Sequence, residues 1–148
     1  MPVPKSNSKV RAVSREVEYQ SLSIQSQADI AAVLIDHSEY LSTEWWVDVD
    51  LREVLADWVE PIKVRICERP TRHLLKSVAS RGFSEVAVKK LQKRLTIVDD
   101  LDPVILDGRN FLDGRHRVEA YARASRKTIP TVDIGTLLRT DWEKWING

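Results

Sequence analysis

Apolar and polar positions alternate most regularly over 61–66, where Ile62, Val64 and Ile66 share one side and Lys63 and Arg65 the other. A period of two is that of a strand with one buried face, so a strand is expected there. A similar alternation over 45–51 sets Trp45, Val47, Val49 and Leu51 against Trp46, Asp48 and Asp50 and predicts another strand. Residues 16–24 alternate more loosely and read as an edge strand. Trp45, Trp46 and Trp58 read as core residues rather than as a base-stacking platform.

Helical spacing fills the intervals. Asp29 reads as the N-cap of a helix reaching Leu41, with Ala32, Val33, Ile35 and Tyr40 as its apolar positions. Asp50 reads as the cap of a short helix over 51–58. Pro70 and Thr71 open a helix through Ser80, and Gly82 ends it. Ser84 caps the next helix, where Val88, Leu91 and Leu95 recur at i, i+3 and i+7 while Lys89, Lys90, Lys93 and Arg94 cover the outer face. His37 and His73 read as surface positions on helices. A short tail helix over 141–146 carries Trp142, Trp145 and Ile146 onto the body.

The last third has the sharpest punctuation. An apolar strand over 103–106 meets Asp107-Gly108, a turn signal because both residues tolerate positive φ. A returning strand over 110–112 meets a second corner, Asp113-Gly114. Helical periodicity follows, with Val118, Tyr121 and Ala122 on one face, and a strand over 128–134 closes the unit.

Composition changes the picture only in places. The chain has 148 residues, 43% hydrophobic and 30% charged, which suits one soluble domain with its own core. The net charge of +1 gives no global attraction to polyanions. The halves differ: residues 1–74 hold nine basic against twelve acidic residues (−3), and 75–148 hold fourteen against ten (+4). An anion-binding face therefore belongs to the second half. Residues 1–15 contain Lys5, Lys9, Arg11 and Arg15 with no acid, and read as a flexible basic tail. Cys67 is the single cysteine, which excludes an intrachain disulfide and a multi-thiolate zinc site and agrees with a cytoplasmic setting. No signal-like or membrane-spanning run is present, so no membrane partner is expected.

The candidate chemistry lies in Asp113-Gly114-Arg115-His116-Arg117. A helix starting after Gly114 leaves its first amide N–H groups without intrahelical partners, at the positive end of its dipole. Such a terminus attracts a phosphate, and Gly114 lets the phosphate approach the backbone. His116 and Arg117 add side-chain donors, the latter able to grip phosphate with two parallel hydrogen bonds. Asp113 is placed to cap the helix, to orient His116 or Arg117, or to help hold a metal. Asp113 and His116 are the catalytic candidates; Asp107, Glu68 and Glu60 are further candidates for a general base. Glu119 is expected to pair with Arg115 or Arg123 at i, i+4. The three histidines have no metal-ligand spacing, and no resident metal site is expected.

The run Pro103-Val-Ile-Leu-Asp-Gly-Arg-Asn-Phe-Leu-Asp-Gly-Arg-His-Arg-Val-Glu-Ala-Tyr121, followed by Thr128-Ile-Pro-Thr-Val-Asp-Ile134, resembles the ParB/sulfiredoxin superfamily. The match covers about a quarter of the chain. The resemblance implies an α+β fold, a small mixed sheet with packed helices. It implies a core over about 58–138, an N-terminal extension over about 16–57, and one domain over 16–148. It also implies a nucleotide at the corner, ATP or CTP with Mg²⁺, held by Gly114, Arg115, His116 and Arg117. Sulfiredoxins carry G-C-H-R there with a reacting Cys. This chain has Arg115 in that place, and Cys67 lies far away, so reductase activity is not expected. Free-serine-kinase relatives carry D-G-H-H-R, one position different. ParB partition proteins continue into DNA-binding and dimerisation domains, for which no room is left before Gly148, so a stand-alone ParB-like module of plasmid or phage type is expected. Three activities follow: nucleotide binding with NTP hydrolysis or phosphotransfer, a non-catalytic effector with a protein or DNA partner, or a ParB-like nuclease.

Overall fold

A computed structural model describes residues 14–38, 40 and 51–147. Of the expected strand over 45–51 only Leu51 is described, and it opens a helix. Trp45, Trp46, the expected cap Asp50 and residues 1–13 of the basic tail lie outside the described residues.

In chain order the elements are β1 (Arg15–Glu18), α1 (Ile24–His37), α2 (Leu51–Ala56), β2 (Lys63–Pro70), α3 (Thr71–Val78) and α4 (Glu85–Leu95). They continue with β3 (Val104–Asp107), β4 (Asn110–Asp113), α5 (Arg115–Arg123), β5 (Thr128–Asp133), α6 (Gly135–Leu138) and α7 (Trp142–Asn147). The described strands form one mixed sheet in the order β1-β2-β5-β3-β4. The β3/β5 pair is parallel and the other three are antiparallel. Among the described residues no helix is long and apolar enough to cross a membrane.

The sheet is covered on both faces, which explains why β3 reads as an unbroken apolar run. Val104 and Leu106 enter one core with Ile129, Val118, Tyr121, Val88 and Leu74. Ile105 enters the other with Val132, Ile134, Val64, Ile66 and Leu34. The alternation of β2 is therefore an alternation of burial, with Val64 and Ile66 inside and Lys63 and Arg65 exposed.

Several expected boundaries are corrected. Helix α1 begins six residues earlier than the Asp29 cap implied. Its N-cap is Ser23, whose hydroxyl oxygen accepts the Ser26 N–H at 3.0 Å. Asp29 lies inside the helix, and the core-facing residues are Ile30, Ala31, Val33 and Leu34, while Tyr40 is exposed. Strand β2 runs past Ile66 to Pro70 because its pairing with β5 continues after the alternation fades. On α5 the buried alanine is Ala120, not Ala122. Ser84 caps α4 as expected, accepting from the Ala87 N–H at 3.2 Å. Trp142 is buried, with Trp58 edge-on to it at 5.9 Å, while Trp145 stacks on Trp58 and stays half exposed.

Candidate functional site

Strands β3 and β4 form a hairpin whose two ends are both Asp-Gly corners. In each, the glycine takes the left-handed backbone and the aspartate stays in the strand: Gly108 has φ +61° and Gly114 has φ +116°. A Cβ on Gly114 would lie 3.1 Å from both Val104 Cγ2 and Arg117 Nη2. Glycine is thus favoured by its backbone conformation, and a Cβ there would also press on its neighbours.

Gly114 is the N-cap of α5, and among the described residues no side chain caps the helix. The first N–H groups of a nine-residue helix are left to whatever occupies the space in front of them. That space is a cleft of about 420 Å³. Gln25 and Asp29 of α1 line one wall, Ala87, Lys90 and Leu91 of α4 another, and Asp102 and residues 113–117 the floor.

Gly114 takes the corner expected of it, while the side chains of Arg115, His116 and Arg117 are engaged with the protein rather than left for a ligand. Arg117 does not reach outward. Its Nη1 donates to the carbonyls of Asp102 (3.2 Å) and Pro103 (3.0 Å), its Nη2 lies 3.5 Å from Asp113 Oδ2, and the side chain is only 12% exposed. Asp29 Oδ2 stands 3.9 Å from Nη1. Arg117 therefore clamps the entry to β3. The two-bond grip on a phosphate expected of it is not available while Nη1 is so engaged. Asp113 does not cap α5; of the roles expected for it, the geometry retains the orientation of Arg117.

His116 is also committed. Its Nε2 accepts the Ser84 backbone N–H at 3.0 Å, which requires that nitrogen to be unprotonated and leaves Nδ1 as the remaining polar atom of the ring. Arg115 donates from Nε to the Gly82 carbonyl at 2.6 Å, and its two terminal amino groups have no partner among the described residues. Both residues thus tie the loop before α4 to the corner.

Farther along, Arg123 reinforces the α4/α5 contact by binding both carboxylate oxygens of Glu85 while its Nε donates to Glu119 at 3.0 Å. The hydrogen bond from Arg123 holds the Glu85 carboxyl below its ordinary range, and the same bond, with that to Glu119, raises Arg123. Glu119 therefore pairs with Arg123, one of its two expected partners.

The remaining acid candidates stand elsewhere. Asp107 pairs with Arg139 at 2.7 Å at the far end of the hairpin, and Glu68 accepts the Thr128 hydroxyl at 2.9 Å. Glu60 does not line the cleft. Among the described residues no three His, Cys, Asp or Glu side chains gather as a metal cluster. Sequence reasoning did not single out Asp29, Gln25 or Asp102 for the cleft. Ser23, the cap of α1, donates to Asp102 Oδ1 at 2.8 Å across 79 residues, a contact with no local signature.

Compared with known proteins, the chain matches no protein-family model, no curated protein and no solved structure. The ParB/sulfiredoxin likeness accordingly rests on the motif residues alone.

Proposed function

We propose that the cleft before α5 binds the phosphate groups of a nucleotide. The observation that carries this reading is the N-terminus of α5, without a side-chain cap and opened by the positive φ of Gly114 onto a cleft lined by Lys90 and Arg115 beside the carboxylates of Asp29, Asp102 and Asp113. Oriented amides and a helix dipole suit an oxyanion, and a volume of about 420 Å³ is in the range of small-molecule sites. In this reading the amides of Arg115, His116 and Arg117 hold phosphate oxygens. Lys90 and the free amino groups of Arg115 neutralise charge, and Arg117 keeps the floor rigid. Mg²⁺ would enter with the nucleotide, on its phosphates. The reading is one of binding rather than turnover, because Asp113 faces Arg117 and His116 Nε2 is engaged by Ser84.

Calorimetric titration with ATP, CTP and GTP, each with Mg²⁺, tests it. Binding of at least one nucleotide to the wild type, weakened about tenfold or more in Lys90→Gln/Arg115→Gln, is expected. Heat-silent titrations of all three would sink the reading.

A second reading is favoured by α4. Its exposed face carries Lys89, Lys90, Lys93 and Arg94, and Lys90 lies on the cleft. A nucleic-acid backbone along α4 with one phosphate in the cleft fits that layout. Oligonucleotide binding whose affinity falls steeply with salt, together with no binding of mononucleotides, would select it.

A further inference from the structure

The geometry points to a second anion site, at the opposite end of the β3–β4 hairpin from Gly114, that takes the carboxylate or phosphate group of a small molecule with an apolar body. This inference is independent of the nucleotide reading. A cavity of about 630 Å³ lies between the end of β2, helix α3 and the β3–β4 turn. Arg69 enters it from β2, Arg109 from the turn and His73 from α3, while Leu74 and Leu106 supply apolar wall.

Arg69 is the reason to regard the cavity as a site. Among the described residues its guanidinium has a single hydrogen bond. Its Nη2 reaches only the Gly108 carbonyl, at 3.4 Å, the weak end of the range. Among the described residues neither Arg69 nor Arg109 has a carboxylate within ion-pair distance. Arg117, Arg123, Arg126 and Arg139 each have one. Glu68, the acid on the same wall, is turned to the Thr128 hydroxyl. A two-oxygen anion can bridge the terminal amino groups of Arg69, Arg109 adds a second cation, and Leu74 and Leu106 receive the apolar part of the ligand.

The test uses the full chain with benzoate and with phenyl phosphate as probes, read by the Nε–Hε resonance of Arg69 in nitrogen-edited NMR. Saturable displacement of that resonance by at least one probe is expected, and the probe that acts tells carboxylate from phosphate. Affinity should fall about tenfold or more in Arg109→Gln, which changes an exposed turn residue and leaves the core alone, and in Arg69→Gln. It should be unchanged in Lys90→Gln at the other end of the hairpin. No displacement by either probe, wild-type affinity in Arg109→Gln, or loss of affinity in Lys90→Gln would each overturn the inference. If Arg69→Gln fails to fold, the wild-type resonance and Arg109→Gln still decide the matter.

Discussion

The imidazole Nε2 of His116 accepts the backbone N–H of Ser84 across 32 residues, at 3.0 Å. One ring nitrogen is thereby spent on holding the N-cap of α4 against the first turn of α5. His116 is then part of the wall that shapes the cleft, and only its Nδ1 is left to face a ligand.

His116→Ala should lower stability by roughly 0.5–1.5 kcal/mol, the ordinary net worth of a hydrogen bond. Hydrogen exchange at the Ser84 amide should accelerate in the variant. Exchange at the wild-type rate would show that the bond does not hold the loop.

Arg117→Ala removes the donor to the Asp102 and Pro103 carbonyls and strands Asp113 and Asp29 without their cation. A loss of roughly 0.5–1.5 kcal/mol is expected from breaking hydrogen bonds to half-buried acceptors, measured by urea denaturation. A variant as stable as the wild type would remove Arg117 from its structural role and return it to the ligand.

Gly114→Ala should be destabilising by roughly 1–3 kcal/mol, since it places a Cβ in left-handed backbone and against Val104. Gly82→Ala meets nothing within 4 Å and adopts no positive φ, so it should leave stability nearly unchanged. Thermal unfolding of the two side by side checks the contrast.

Burial pushes the Tyr19 and Tyr121 phenols up to about 12. The ordinary value is about 10, so the folded state holds these protons more tightly than the unfolded one. Their contribution is fully present below pH about 10 and is lost as pH rises through about 12. Urea unfolding across that window should show a fall in stability that is flatter in Tyr19→Phe/Tyr121→Phe. Equal slopes would refute the assignment. At neutral pH Tyr121→Phe should itself cost roughly 1–3 kcal/mol, because the buried Leu101 N–H, 2.6 Å from the phenol oxygen, loses its acceptor.

Local chemistry made the hairpin and the corner legible in the sequence. Asp107-Gly108 and Asp113-Gly114 mark its two ends, and Val118 and Tyr121 give the buried face of α5. The α+β class with a mixed sheet was implied by the resemblance of the motif rather than by these signals, and a mixed five-stranded sheet with helices is what the described residues form. The start of α1 was hidden because Ser23 and Asp29 both suit a cap, and the Ser23 contact that helps decide it is to Asp102, far along the chain. The roles of Arg115, His116 and Arg117 were hidden for a related reason. Their partners at Gly82, Ser84, Asp102 and Pro103 lie 14 to 33 residues away in sequence, where spacing carries no information.

The central claim is that α5 presents its first amides to a phosphate. The most direct test is a titration of nitrogen-15-labelled protein with Mg²⁺-ATP and Mg²⁺-CTP, following backbone amide resonances. Saturable shifts largest at Gly114, Arg115, His116 and Arg117, and much reduced in Lys90→Gln/Arg115→Gln, are predicted. Saturable shifts centred on other residues, or none with either nucleotide, would contradict the account.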